Sequence, residues 1–140
     1  MEELREWSSG AHRLWFEPPD MLWGTLIGKV SPRDSRWLLE ACAEVATGGR
    51  FYVIADVAQA VLPTESLKYL ADHVHPEWEC GVVYLGVNPE QRAAGRALAV
   101  ALLFTRATRF ETVCVDSFEE ARAWVDAHRM KVEESRRQVG

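Results

Sequence analysis

The sequence contains little that marks a membrane or secreted protein. None of its apolar runs approaches the ~20 residues that a membrane-spanning helix requires. Residues 1–6 are acidic and lack the basic stretch followed by apolar residues that is typical of a secretory signal. These two absences predict a cytoplasmic protein with no membrane span.

Cysteine is scarce, and its spacing is unlike that of a metal site. Cys42, Cys80 and Cys114 lie far apart among apolar neighbours, and neither Cys-x-x-Cys nor His-x-x-x-His occurs. Structural metal sites usually take ligands from such closely spaced pairs. We therefore expect buried free thiols, with no bound metal and no cofactor.

Basic residues are outnumbered by acidic ones. The 140 residues include 16 Lys and Arg against 21 Asp and Glu, a formal net charge of −5. Proteins that bind nucleic acid through a broad basic face usually have the opposite balance, so no nucleic-acid partner is expected. The length suits one domain with a substantial core.

A catalytic constellation is also missing. The sequence offers no nucleophile beside a base, no paired carboxylates and no phosphate-binding loop. We therefore expect the protein not to be an enzyme.

What is present is a regular alternation of strand and helix patterns. Residues 12–30 alternate like an antiparallel hairpin that is broken at residues 18–20. Further strands are predicted over residues 51–56, 81–87 and 110–116, and helices over residues 31–48, 63–75, 89–108 and from residue 117 onward. The order ββαβαβαβα predicts an α/β fold in which about five strands form a mixed sheet with a parallel centre, joined by four main helices.

The two ends of the chain differ from this pattern. Residues 1–11 are polar, and we expect a flexible leader or an extra short element there. Residues 12–128 form the single predicted domain. Residues 129–140 are charged, which predicts a helix extension or tail that frays.

The first helix has the clearest start signal. Ser31 suits the N-cap, Pro32 suits the first helical position, and Asp34 lies where a capping box needs its acid. We therefore predict that the helix begins at residue 32.

Tryptophan is abundant, with six residues in the chain. Trp37 and Trp124 fit apolar helix stripes and are predicted to lie in the core. Trp7, Trp15 and Trp78 have polar or mixed neighbours, which favours either an exposed protein contact or packing over the sheet edge.

The stretch over residues 50–74 is the predicted centre of the fold. Residues 51–55 suit a strand buried on both faces, and Asp56 follows at its predicted carboxyl end. A short loop and a helix start at Pro63 come next. In open α/β sheets this edge usually carries the binding site, although Asp56 would also serve to bond nearby backbone amides.

The predicted helix over residues 89–108 is apolar around more than half of its circumference. Such breadth indicates burial on more than one side, by the same domain or by a partner. Arg92 and Arg96 lie one turn apart on this helix. They suit contact with an anion or an acidic partner, or ordinary solvation at the surface.

A family resemblance rests on the order and spacing of several segments. They are Trp23-Gly24-Thr25-Leu26 in the hairpin, the helix over residues 31–48, the strand over residues 51–56, Val82-Val83-Tyr84-Leu85-Gly86 before a long helix, and residues 110–124. Residues 12–128 thereby resemble the STAS fold, and more narrowly the family similar to stage II sporulation protein AA, the anti-sigma-factor antagonist. The resemblance implies a regulatory protein-interaction domain whose partner is an anti-sigma-factor-like kinase.

In that family a helix start of Asp-Ser-Ser-Gly-Leu carries a serine that the partner kinase phosphorylates. The equivalent distance from Asp56 falls on Thr64-Glu65-Ser66-Leu67, so most of the motif is lost. The resemblance still implies a phosphorylation or partner edge, with Ser66 and Thr64 as its hydroxyls; a plain helix cap is the structural alternative. The candidate edge comprises Asp56, Leu62, Thr64, Glu65 and Ser66.

Two functions follow from these observations. The first is a protein-interaction domain that binds through the edge over residues 56–70 and also forms a homodimer. The second follows from a likeness to lipid-carrier domains: a small apolar ligand would lie between the sheet and the helix over residues 89–108. An exposed apolar patch beside residues 58–70 would favour the first function, and a lined cavity would favour the second.

Overall fold

The protein is a six-stranded mixed sheet with helices on both faces, and the computed structural model describes residues 5–61, 63–73, 79–86 and 111–139. The strands are β1 (Glu6–Ser9), β2 (His12–Glu17), β3 (Met21–Lys29), β4 (Phe51–Val61), β5 (Glu79–Leu85) and β6 (Glu111–Val115). The helices are α1 (Pro32–Ala46), α2 (Thr64–His73) and α3 (Phe118–Val139).

The strands lie side by side in the order in which they occur along the chain. Neighbours from β1 to β3 are antiparallel, and neighbours from β3 to β6 are parallel. The predicted α/β class and mixed sheet are therefore confirmed. Of the four predicted helices, the one over residues 89–108 lies outside the described residues, and so does the cavity proposed beneath it.

The sheet has six strands rather than about five, because part of the expected leader forms β1. The amide of Phe16 donates to the carbonyl of Arg5 at 2.9 Å, which continues the β1–β2 ladder to Arg5. Trp7 packs partly buried beside the core under α1, and its indole N–H donates to Glu44 at 2.8 Å. These contacts hold a strand that is too short and polar to recognise from its sequence.

Helix α1 begins where its capping signals predict. The Ser31 side chain accepts a hydrogen bond from the Asp34 amide at 3.1 Å, and the Asp34 carboxylate accepts one from the Ser31 amide at 2.9 Å. This reciprocal capping box satisfies backbone donors that the helix itself leaves unpaired. The apolar side of α1, including Ala41, Cys42 and Val45, is buried against β2, β3 and β4.

Consecutive side chains of β4 enter different cores. Phe51 belongs to the cluster under α1, whereas Tyr52 and Ile54 belong to the cluster on the opposite face, which includes Ala121 and Val125 of α3. Phe51, Tyr52 and Ile54 are at most 2% exposed. The prediction of a strand buried on both faces is confirmed.

Strand β4 continues past Asp56, which corrects the prediction that a loop begins there. Thr25 of β3 pairs with Asp56, but Ile27 pairs with Gln59, so β4 contains one extra residue in this interval. Such a bulge lets a strand continue after its side-chain alternation is interrupted. The polar residues after Asp56 therefore belong to a strand.

The last helix extends further than the core that it covers. Helix α3 runs through Val139, so most of the predicted C-terminal extension is helical. Residues 130–135 are all exposed. Among the described residues, no helix combines the length and the apolar character needed to cross a bilayer.

Gly86 follows β5 at a close approach to the bulge in β4. Its φ is +72°, and a methyl group at this position would meet the Ala58 Cβ at 2.6 Å. Gly28 has a similar φ of +78°, and a methyl group there would meet no atom of another described residue within 4 Å. Alanine substitutions at the two glycines can therefore be compared to distinguish the cost of the backbone conformation from the cost of steric crowding.

We expect Gly86→Ala to destabilise the fold more than Gly28→Ala. Both substitutions place alanine at a positive φ, which costs about 1 kcal/mol. Gly86→Ala adds a steric overlap with Ala58 that is worth roughly 1–3 kcal/mol. Urea unfolding of both variants measures the difference, and equal losses would contradict the close packing of β5 against β4.

Candidate functional site

Strands β3 and β4 extend beyond the end of β5. Leu85, the last residue of β5, pairs with Asp56, whereas β4 continues beside β3 as far as the pair of Lys29 with Val61. The Val30 amide donates to the Val61 carbonyl at 2.9 Å and closes this two-stranded segment. We call residues 27–29 and 59–61 the β3–β4 ribbon.

The ribbon has a buried side and an exposed side. Val30, Val57 and Ala60 belong to a core cluster beside α1, and Val30 and Val57 are fully buried. Ile27 is 40% exposed and Val61 is 60% exposed. Two branched apolar side chains therefore lie in solvent two residues apart along the ladder, next to a buried core cluster.

Sequence reasoning missed both exposed residues. The strand pattern predicts Ile27 as an ordinary strand residue, and it leaves Val61 in the expected loop. No local signal marks Val61 as exposed, because it stands between the apolar residues Ala60 and Leu62, just before Pro63. Recognising it required knowing that β4 reaches this point.

Asp56 lies at the base of the ribbon and is half-buried. Its Oδ1 accepts a hydrogen bond from the Ala58 amide at 3.2 Å. That bond satisfies an amide at the β4 bulge, which is the backbone-bonding role that short acidic side chains often have. In this geometry the Asp56 side chain stabilises the bulge at the base of the ribbon.

Ser66 lies in the interior rather than on the predicted edge. It is 1% exposed, and its hydroxyl donates to the Val30 carbonyl at 2.5 Å. The Ser35 hydroxyl in turn donates to the Ser66 carbonyl at 3.1 Å. These two bonds join α2 to the end of β3 and to α1, so a kinase could reach Ser66 only after α2 had separated from them.

The other candidate edge residues have different positions. Thr64 is the first residue of α2, and Glu65 beside it is exposed. Leu62 lies outside the described residues, as do Arg92 and Arg96. The structure thus brings Asp56, Glu65 and Ser66 to one end of the sheet, with only Glu65 of these facing solvent freely.

A second polar cluster lies beneath the ribbon and was not predicted. The Ile27 amide donates to Nδ1 of His12 at 3.1 Å, so Nδ1 must be unprotonated. Nε2 then carries the proton and faces Oδ2 of Asp34 at 3.3 Å. His12 is 5% exposed and therefore links β2, β3 and α1 from within the core.

Asp34 is the charged member of this cluster. Burial tends to raise the pKa of its carboxyl, but the hydrogen bonds with Ser31 and the neighbouring His12 outweigh burial and lower that pKa from its ordinary value. Both nitrogens of His12 are occupied by these contacts. The pair is therefore arranged to hold the fold together rather than to transfer protons to a substrate.

Helix α3 is attached to the sheet by two further polar groups. Near its middle, the Tyr52 hydroxyl lies 2.7 Å from Nδ1 of His128, and Trp124 stacks on His128 with ring centroids 5.0 Å apart. Arg129 forms an ion pair with Asp20, and this hydrogen bond is the main influence that raises the pKa of the guanidinium. These contacts join α3 to β4 and to the turn between β2 and β3.

The start of α3 is attached to β2 and β3. Arg122 donates to both oxygens of Glu17, at 2.9 and 2.6 Å, and its guanidinium lies 4.8 Å from the ring centroid of Trp23. The hydrogen bond from Arg122 is the main influence that lowers the pKa of Glu17. These charges are satisfied by each other, so the cluster serves attachment of the helix.

Among the described residues, no group of three or more His, Cys, Asp or Glu side chains is placed to hold a metal ion. Cys42 is buried as predicted, whereas Cys114 is half-buried and Cys80 has no described side chain.

Trp37 and Trp124 pack partly buried against the cores. Trp15 also packs against a core, and Trp78 lies outside the described residues.

Asp34 generates a prediction about the dependence of stability on pH. Its folded-state pKa is depressed, so the stability that its charge contributes is present above the unfolded-state pKa and is lost as the pH falls through the folded-state pKa. Asp34→Asn should lower the free energy of unfolding at pH 7 by about 1 kcal/mol. The deficit should shrink as the pH approaches about 3.

Denaturant unfolding from pH 7 to about 3 measures this difference. Glu40→Gln is the matched control on the same helix, since Glu40 forms an exposed ion pair with Arg36 and such pairs contribute little. A deficit for Asp34→Asn that stays constant with pH would contradict the role given to its charge.

Comparison with protein-family models finds no match, and no curated protein matches the sequence.

Proposed function

We propose that the chain is a non-catalytic regulatory domain of the STAS kind that binds a protein partner through the β3–β4 ribbon. The observation that carries the proposal is the exposure of Ile27 and Val61, 40% and 60%, beside the buried cluster that contains Val30 and Val57. An exposed apolar patch at the rim of a buried core is typical of a surface that another protein covers.

The surroundings of the patch support a contact with protein. Lys29 lies within the ribbon, and Glu65 and Lys68 lie at the start of α2; all three are exposed. Protein interfaces commonly combine an apolar centre with a polar rim. Charges of both signs at the rim suit a partner surface of mixed charge better than they suit nucleic acid.

The backbone beneath the patch is held firmly. His12 binds the Ile27 amide, Val30 pairs with Val61, and Asp56 binds the Ala58 amide. A surface that is ordered before binding loses little conformational entropy on binding. The ribbon is therefore suited to present its two apolar side chains to a partner without rearranging.

Phosphorylation of Ser66 is not part of the proposed regulation. Its hydroxyl is buried and donates to Val30, so a phosphate there would be forced into the contact between α2 and β3. The family resemblance suggests an anti-sigma-factor-like kinase as the kind of partner. In this chain, regulation would then act through occupancy of the ribbon rather than through phosphorylation of that serine.

Val61→Asp is predicted to weaken partner binding strongly while the fold persists. The valine is mostly solvated, so the substitution should change stability little, but it would bury a charge in the interface. We expect the affinity for the partner to fall about tenfold or more. Affinity capture from native lysate, followed by titration of the identified partner, measures the loss.

Met130→Asp is the matched control, because Met130 is 68% exposed and lies on α3, away from the ribbon. Circular dichroism should show both variants folded. Equal binding by the wild type and the Val61 variant would refute the ribbon as the partner surface, and equal loss in both variants would indicate a non-specific apolar interaction.

A further inference from the structure

Strand β1 forms one edge of the sheet. Its neighbour on one side is β2, and in the described part of the chain no strand lies on its other side. Glu6 and Ser8 are exposed, and Trp7 between them is half-buried toward α1. An edge of this kind presents unpaired main-chain donors and acceptors.

The ladder identifies which main-chain groups face outward. Ser9 pairs with His12 across a two-residue turn, Trp7 pairs with Leu14, and the Phe16 amide donates to Arg5. In antiparallel strands, alternate residues direct their N–H and C=O to the same neighbour. Residues 5, 7 and 9 therefore bond to β2, while Glu6 and Ser8 direct their N–H and C=O groups away from it.

We propose that this edge binds a second copy of the chain, so that two β1 strands pair antiparallel about a two-fold axis at Trp7. In this register Glu6 exchanges both main-chain hydrogen bonds with the partner's Ser8, and Ser8 does the same with the partner's Glu6. All four outward groups of each strand are then satisfied. Trp7 lies beside the partner's Trp7 at the axis.

Charge and turn geometry favour this register over the two registers in which the axis is shifted by one residue. A shift that centred the axis on Glu6 would place two glutamates directly opposite each other, which is unfavourable. A shift that centred it on Ser8 would place Glu6 against the partner's Gly10, which is in the β1–β2 turn with a φ of +60°. The axis at Trp7 avoids both conflicts.

The same register brings opposite charges together. Arg13 lies on β2 directly across from Ser8, on the same face as Glu6. In the dimer, Glu6, the partner's Ser8 and the partner's Arg13 would form one row across three strands. Serine is small, so the glutamate and arginine side chains can meet over it. Glu6 and Arg13 are both exposed, and the described residues supply neither with an ion pair.

The dimer should be weak and reversible. The contact consists of one short strand from each copy, which is smaller than the ~1,000 Å² expected of a stable interface. We expect a dissociation constant in the micromolar range or weaker. Self-association is tested separately from the proposed partner, because the experiment uses the purified chain alone.

Sedimentation equilibrium of the full chain across a wide concentration range should show a monomer–dimer equilibrium. Ser8→Pro should raise the dissociation constant about tenfold or more, since it removes an outward N–H from each copy without touching a bond to β2. Ser8→Ala retains that N–H and should dimerise like the wild type. A monomer at all concentrations, or a dimer unaffected by Ser8→Pro, would overturn the proposal.

Two further measurements keep the test independent of any folding defect in the proline variant. Hydrogen exchange of the Glu6 and Ser8 amides should slow with protein concentration, whereas that of Trp7 should not change. Glu6→Arg alone should weaken the dimer by a few fold, and adding Arg13→Glu should restore it. Exchange independent of concentration, or no restoration by the double variant, would count against this register.

Discussion

The structure depends on burying both faces of β4. Neighbouring residues of this strand, Phe51 and Tyr52, enter cores on opposite sides of the sheet, and each is at most 2% exposed. Burying a large apolar side chain fully contributes about 1.5–3 kcal/mol. This stabilisation from Phe51 and Tyr52 requires that α1 cover one face of the sheet and that α3 cover the other. The long-range polar contacts of α3, such as that of Arg129 with Asp20, keep the second face covered.

The ribbon occupies the place where this double burial ends. Beyond Asp56, β5 no longer accompanies β4, and the bulge changes which residues point into the core. Val57 and Ala60 remain in the cluster beside α1, although regular alternation would separate them. The side of the ribbon away from that cluster loses its cover, which leaves Ile27 and Val61 in solvent. The candidate surface is thus a direct consequence of strand lengths.

The sequence predicts features that depend on local chemistry. Ser31, Pro32 and Asp34 lie within four positions of one another, and together they place the start of α1 correctly. The predicted end of β4 is wrong because the polar residues Asp56 and Gln59 are typical of a loop. The hydrogen bond from the Ala58 amide to Asp56, which keeps this segment in the strand, forms only in the folded chain. Contacts that join distant residues leave no local trace: His12 and Asp34 are 22 positions apart, and Asp20 and Arg129 are 109 apart. The burial of Ser66 could not be predicted for the same reason, since a serine that caps a helix at the surface and a serine buried in the core have the same appearance in the sequence.

The edge of β1 and the ribbon are compatible surfaces. Strand β3 lies two strands away from β1, so a dimer formed through β1 would leave both ribbons uncovered. With strands about 4.8 Å apart, the two copies of β3 would lie roughly 24 Å from each other across the axis. The axis at Trp7 is level with Gly24 of β3, so the two ribbons lie beyond it in opposite directions and are farther apart than the strands themselves. A partner with two binding sites that reach both ribbons would bind the dimer more tightly than either ribbon alone, because its second contact is intramolecular. Weak self-association would then make partner binding depend steeply on the concentration of the chain.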